Sequence, residues 1–446
     1  MKSNHQPFPD ILTPLPSNLE FIFNLSPSVM TLGLANMQAL LSRLDKPQNK
    51  FPSIIVAGTN GKGSVSCYIS SLLNANGLKV GRYTSPHIYS VTERISIGEE
   101  YITLEQMEKH ASRIVPLHAI VPFSYFEAIT AIAFLEFAEK EVDYAVLEVG
   151  LGGRFDATNV SQAAVTIITS ISLDHRRVLG DTEVEILREK LGIARKGVAL
   201  LIGNLSAELL GIIERRQAQD GFDLHSLQNI GSVKREGLSP AESRIAIRTA
   251  RQNYGTVSLP FAGEHQSDNA LLALGAVECV LDEVKNVPQA FASAYMPGRF
   301  ERLECMGKTV ILDVAHNDAA LSRLAETYSQ RFRAEDSAIV LGAMRRKELS
   351  VSLARLMAAA RRLYLIAPET GESSTPHELF DKLNAEFTFT DKKDIILWNG
   401  QDVSSGWDRL VDVLFHPASE FANILVTGSH RTVESFGRRL LLRGML

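Results

Sequence analysis

Seven residues, Gly58-Thr59-Asn60-Gly61-Lys62-Gly63-Ser64, constrain this chain more than any other segment. Before them runs SIIVA at 53–57, a short β-branched stretch that predicts a buried strand. After them, residues 65–76 (VSCYISSLLNAN) predict a helix. A strand, a glycine-rich turn and a helix open a βαβ unit. Such a turn lets backbone N–H groups converge on phosphate oxygens, provided side chains are absent at several positions. The helix N-terminus adds partial positive charge, and Lys62 is placed to reach terminal phosphates. Ser64 offers a hydroxyl to phosphate or to magnesium. The strict pattern GxxxxGK[ST] is not met, because Val56 stands at its first glycine and Gly63 follows the lysine. The bland alternative is a glycine-rich turn carrying a surface lysine.

More units of the same texture follow. Residues 125–140 predict an apolar helix packed on a sheet, 144–149 a strand ending at Gly150, and 165–171 a strand ending before Asp174 and His175. Alternation of this kind predicts a mainly parallel sheet. After Met296-Pro297-Gly298, the runs 309–312, 338–341, 363–366 and 423–426 are four more strand candidates with helical stretches between them. The expected fold is α/β: a large P-loop-type ATPase domain over 1–297, then a smaller Rossmann-like domain over 298–446.

The 446 residues are 45% hydrophobic and 22% charged, so a core can form without disulfides. Three distant cysteines, Cys67, Cys279 and Cys305, exclude a disulfide framework and suit a reducing cytoplasm. A net charge of −5 and 7% aromatics predict no nucleic-acid partner. Residues 21–42 carry no charge, but Asn24, Ser26, Pro27, Ser28, Thr31, Asn36 and Gln38 interrupt them. A helix face through Met30, Leu34, Met37 and Leu41 is expected there rather than a membrane span, and no signal peptide is expected at Met1.

Taken together the motifs carry a resemblance. Gly58–Ser64 is similar to the ATP loop of the Mur ligase superfamily, most closely of folylpolyglutamate and dihydrofolate synthases. The family's other blocks follow in order: Thr84-Ser85-Pro86-His87 with Glu93-Arg94-Ile95, Phe126-Glu127, and Leu147 through Asn159. Then come Leu173-Asp174-His175, Arg188-Glu189-Lys190, Gly263-Glu264-His265-Gln266 with Asn269, Pro297-Gly298-Arg299-Phe300, Asp313-Val314-Ala315-His316-Asn317, and Gly428-Ser429.

The resemblance implies ATP-dependent amide formation: phosphorylation of a carboxylate, then attack by the amine of L-glutamate. Dihydropteroate and folates would be the carboxylate substrates, ATP would lie between two closing domains, and the chain would be a monomer. Thr59, Asn60, Gly61, Lys62, Gly63 and Ser64, with Asn269 facing adenine and Arg299 and Asp313 from the linker and second domain, would hold ATP. Ser64, Ser85, Glu148 and His175 would hold Mg²⁺. Lys190 would be carbamylated by CO₂ and support a second metal, with Lys62, Lys190 and His316 as the catalytic set. Ser124, Phe126, Asp156 and Ala157 would form the pteroate pocket, Phe126 stacking on the pterin and Asp156 accepting from it.

Plainer readings of the same residues stand beside these. Glu148 could pair with Arg154, His175 could cap a helix, and Lys190 could be a surface lysine opposite the apolar face of Ile186, Leu187 and Ile193. Phe126 could be core, Asp156 a loop cap, Arg299 a linker salt bridge and Asp313 a strand-end cap. For the whole chain the alternatives are a Mur-type ligase for another carboxylate, or a non-catalytic ATP-binding relative.

Overall fold

The protein, seen here as a computed structural model, is described for residues 13–25, 33–238, 243–345, 351–386, 395–398 and 403–445. It divides into two compact units. The first takes in residues up to Glu236 with Arg244–Leu259 and His265–Tyr295, and the second Gly237–Ser243, Pro260–Glu264 and everything from Met296.

In the first unit eight strands form one sheet: β1 (Ser53–Ala57), β2 (Val80–Tyr83), β3 (Ile95–Ile97), β4 (Glu100–Tyr101), β5 (Tyr144–Glu148), β6 (Ala163–Ile168), β7 (Ala199–Ile202) and β8 (Asp223–Ser226). Their order is β4-β3-β2-β5-β1-β6-β7-β8. β1 pairs in parallel with β5 on one side and β6 on the other, Ile55 standing opposite Leu147 and Thr166. All five residues of β1 are buried, as a strand covered on both faces requires. β3 and β4 add antiparallel at one edge. A separate three-stranded sheet follows, β9 (Gly231–Leu238), β10 (Ser243–Thr249) and β11 (Asn253–Leu259), in the order β11-β10-β9.

The helices explain their own sequences. Helix Lys62–Ala75 begins straight from the glycine loop, three residues before the expected start, because Gly61 sits at φ 89° and turns the chain into it. Helix His265–Glu278 lies against it. Helix Tyr125–Glu139 is apolar nearly all round and buries Ala128 through Phe137. It is sandwiched between the sheet and helices Ala35–Arg43 and Leu104–Ile114, which together form one core. Burying each large side chain there, such as Phe134 or Ile132, contributes about 1.5–3 kcal/mol. Helix Ala35–Arg43 buries Met37 and Leu41 as the spacing predicts, with Leu34 just before it, while Met30 lies outside the described residues. Among the described residues no helix is long and apolar enough to cross a membrane.

The second unit is a six-stranded sheet of β12 (Glu301–Cys305), β13 (Lys308–Leu312), β14 (Ser337–Leu341), β15 (Arg362–Leu365), β16 (Ile395–Leu397) and β17 (Asn423–Thr427). The order is β12-β13-β17-β14-β15-β16. Only β12 is antiparallel; β13, β17, β14, β15 and β16 run parallel. This is the Rossmann-like texture that the four apolar runs foretold, with β12 and β16 in addition.

Candidate active site

In the first unit the chain leaves β1, β5 and β6 at neighbouring carboxyl ends, where open α/β sheets bind ligands. The loop after β1 is held by the segment after β6. β6 ends at Ile168, earlier than the expected strand over 165–171, and the residues released do other work. Thr169 Oγ1 and Ser170 Oγ donate to the Asn60 carbonyl at 2.6 and 3.0 Å, and Asn60 N–H donates back to Ser170 Oγ at 3.0 Å. Thr59 Oγ1 donates to the Ser172 carbonyl and accepts from Ser172 N–H, both at 3.1 Å. Gly58 has φ 147°, and a Cβ there would fall 1.9 Å from Thr169 Oγ1. Gly61 would place a Cβ 2.7 Å from Asn269 Oδ1. Both glycines are therefore required by backbone conformation and close approach.

Lys62 folds back over this loop, its Nζ donating to the carbonyls of Gly58 (3.1 Å) and Thr59 (3.2 Å). Ser64 is buried and accepts from Gln266 Nε2 at 3.3 Å; Gln266 Oε1 in turn accepts from Asn269 Nδ2 at 3.0 Å. Asn269 thus sits against the glycine loop itself.

Glu148 closes β5 and is 2% exposed. Its Oε2 accepts from Ser85 N–H at 3.2 Å, so the two expected metal-facing residues are together. Arg154 does not neutralise Glu148; its side chain approaches Glu189 at 4.0 Å. His175 has a left-handed backbone at φ 51° and is half exposed beside Asp174. Among the described residues no three His, Cys, Asp or Glu side chains converge as a metal cluster.

Lys190 is not a surface lysine: it is 4% exposed at the end of helix Glu183–Lys190. Burial, then the nearby Lys62 cation, pull its amine down from the usual lysine range to about 7, against the opposing pull of Asp174 and Asp156. Lys62, Asp174 and Asp156, from segments beyond β1, β6 and β5, therefore all act on the Lys190 amine. Asp174 is the member that the Leu173-Asp174-His175 block signalled and the site assignment left out.

Asp156 is a loop organiser. One carboxylate oxygen accepts from Gly150 and Leu151 N–H at 3.0 Å each, the other from Thr158 N–H at 3.0 Å and Thr158 Oγ1 at 2.6 Å. Four donors fill its acceptor sites, and burial nonetheless pushes its carboxyl up. Phe126 lies half-buried over Gly150, where a Cβ would meet its ring at 2.5 Å. Ala157 follows Asp156, buried at 4% exposure. Ser124 caps helix Tyr125–Glu139 in a capping box with Glu127. These four residues share one region of the first unit.

In the second unit Asp313 directly follows β13. Its carboxylate accepts from Phe300 N–H (2.8 Å) and Ala315 N–H (2.9 Å). The first bond holds Phe300 in its left-handed backbone at φ 49°. Burial raises the Asp313 carboxyl, while the Arg299 guanidinium pulls the other way. His316 Nδ1 bonds the Val314 carbonyl at 2.9 Å, which puts the proton on Nδ1. Its ring lies 5.6 Å from that of His430, a neighbour that sequence reasoning missed because Gly428-Ser429 alone marked the segment.

Comparison with known proteins accords with this geometry. The profile of the Mur ligase middle domain matches residues 56–277, and that of the Mur ligase glutamate ligase domain matches residues 298–430. The class is therefore that of Mur-type ligases. A Bacillus subtilis dihydrofolate synthase/folylpolyglutamate synthase is 34% identical over 78% of this chain and 84% of its own. The structure of Escherichia coli FolC in complex with DHPP and ADP superposes with a TM-score of 0.83 at 28% identity, covering 98% of this chain and 100% of that one. A bifunctional folylpolyglutamate synthase/dihydrofolate synthase with Mn, AMPPNP and L-glutamate bound has a TM-score of 0.80 at 27% identity, over 97% and 99% of the two chains. The chain belongs to the folylpolyglutamate synthase/dihydrofolate synthase family of ATP-dependent ligases.

Proposed function

We propose that this chain is bifunctional, ligating L-glutamate to dihydropteroate and to the γ-carboxylate of folates. The γ-phosphate of ATP passes to the substrate carboxylate, giving an acyl phosphate and ADP. The glutamate amine then attacks the acyl carbon, phosphate leaves and the amide remains. A carboxylate alone repels a nucleophile and offers no good leaving group, so the first step creates the electrophile. The observation that carries this reading is the glycine loop Gly58–Ser64, with Lys62 folded over it, standing at the carboxyl ends of three adjacent strands, where Glu148 closes β5 against Ser85. Backbone N–H groups, a lysine and an adjacent carboxylate are the donor set that a polyphosphate with its Mg²⁺ requires.

Within that reading the Gly58–Ser64 loop receives the ATP phosphates, and Lys62 exchanges the Gly58 and Thr59 carbonyls for them. Ser85 and Glu148 suit Mg²⁺, which takes one or two protein oxygens and completes its shell with phosphate and water. Bound there it would supply charge neutralisation at the γ-phosphate. Lys190 carries the further proposal of carbamylation: its neutral amine adds to CO₂, a proton is released, and the cation becomes a carboxylate. Its burial supports this, since an amine held near neutrality at pH 7 is the nucleophile the addition needs. Phe126 would stack on the pterin, with Ser124 and Ala157 beside it and Asp156 fixing the loop they share. Arg299, Asp313 and His316 would serve the nucleotide and the incoming glutamate. A monomer in the cytoplasm, without nucleic-acid or membrane partners, belongs to the same proposal; the three free cysteines and the net charge of −5 support it.

The test is phosphate release with ATP, Mg²⁺ and glutamate, offering dihydropteroate and tetrahydrofolate in separate reactions. Release with both is expected. Release with one alone names a single role, and release with neither from protein that binds ATP points to another acceptor.

A further inference from the structure

The Glu93-Arg94-Ile95 block has so far been given no work. Glu93 turns inward: its carboxylate accepts from Ile88 N–H (2.9 Å), Tyr89 N–H (2.7 Å) and Ser90 N–H (2.7 Å), tying up the turn after His87. Arg94 points elsewhere. It is 6% exposed, its Nε donates to His87 Nδ1 at 2.9 Å, and its guanidinium lies 5.6 Å from the centre of the Tyr125 ring. Phe23 completes the wall, its ring 5.2 Å from Tyr125 and 6.4 Å from His87. Among the described residues Arg94 has no carboxylate partner. A guanidinium keeps its charge at physiological pH, and a buried charge without an anion is costly. The bond to His87 engages Nε alone and leaves the terminal nitrogens, the fork that matches a carboxylate.

The surroundings say which anion. The Tyr83 hydroxyl feels both Arg94 and Asp156, and the Tyr83 ring lies 6.0 Å from that of Phe126. Arg94 therefore belongs to the region proposed for the pterin. Ser85, whose N–H reaches Glu148, is two residues from His87 on the same loop. An aromatic scaffold ending in a carboxylate is what an aromatic wall, a fixed guanidinium and an adjoining phosphoryl-transfer site together would take.

We propose that Arg94, oriented by His87 and Tyr125, grips the carboxylate of the pteroyl substrate and sets the preference for an acid over its uncharged analogues. The inference rests on the folate reading above and adds a recognition element to it. The experiment is calorimetric titration of wild type, Arg94→Gln and Arg94→Lys with pteroate and with pteroate methyl ester. Wild type should prefer the acid by about 30-fold, the scale of a charge-assisted bidentate pair. Arg94→Gln should reduce that preference to within about 3-fold through loss of acid binding alone, with Arg94→Lys keeping part of it. The KM for L-glutamate should not move.

An unchanged acid preference in Arg94→Gln would overturn the proposal. So would an equal loss for acid and ester, which is the mark of a structural role, or a change confined to the glutamate KM. If Arg94→Gln does not fold, Arg94→Lys supplies the same ratio. Wild type binding neither ligand would bring down the folate reading, and this inference with it. Wild-type binding with an unaltered ratio in the variants brings down the inference alone.

Discussion

Lys190 is the residue whose chemistry is most at odds with its placement. A lysine 4% exposed beside another lysine is an expense to the fold whenever it is charged. Its amine titrates at about 7 folded and near 10.5 unfolded, so between those values the unfolded chain binds the extra proton. The destabilisation is therefore fully present below pH 7 and fades as pH rises to 10.5. Lys190→Met should stabilise the protein in CO₂-free buffer at pH 7 by about 3–5 kcal/mol, shrinking toward zero by pH 10.5. The same variant should lose at least about 100-fold in kcat, because charge that acts on the transition state is gone. Denaturant curves across pH, set beside turnover, check both; equal stability at pH 7 and 10 relative to wild type would contradict the burial argument. The resemblance implied a neutral amine at Lys190, but its burial was not legible in the residues themselves, where it read as a surface lysine. Lys190 stands four residues after Ile186 and three after Leu187, so it shares their buried helix face rather than opposing it, and the loop after β5 packs close by: a Cβ on Gly153 would lie 3.0 Å from the Glu189 and Lys190 carbonyls.

Among elements, the glycine loop and the segment after β6 behave as one piece. Gly58→Ala would drive a methyl group into Thr169 Oγ1 and strain φ 147° as well, so a loss of about 2–4 kcal/mol is expected, with ATP binding abolished. Adding Thr169→Ala relieves the clash but not the backbone conformation, so the double variant should recover only part of the stability. Full recovery in a thermal melt would mean that φ carries no cost. At this scale the sequence spoke unevenly. β1, β5, β14 and β17 are short apolar runs buried on both sides, and such runs announce themselves. β3, β4 and β16 are two or three residues long, and β10 alternates buried with less buried residues; segments of that length or polarity look like loop until a partner strand is known. The phosphate loop was readable because its chemistry demands glycine at fixed places. The side chains that clamp it, Thr169, Ser170 and Ser172, sat within or beside what read as strand.

For the whole molecule the two units divide the chemistry proposed here, with Lys62, Glu148 and Lys190 in the first and Asp313 and His316 in the second. Removing divalent cations with a chelator should abolish turnover, and Mg²⁺ or Mn²⁺ should restore it. The melting temperature should move by less than about 2 °C, because the proposed metal serves the substrate phosphates and each of the two units buries its own core. A large drop in melting temperature would mean that a cation holds the fold itself.

The resting position of Lys62 bears on how fuel is taken up and spent fuel released. Its ammonium already has two acceptors in the Gly58 and Thr59 carbonyls, so an arriving nucleotide exchanges one set of bonds for another. Exchange of this kind yields little net heat and modest grip. In the role proposed for Lys62, each ADP that departs would leave a lysine able to reclose onto the Gly58 and Thr59 carbonyls, and a loop whose clamps to Ser170 and Ser172 hold its shape for the next molecule.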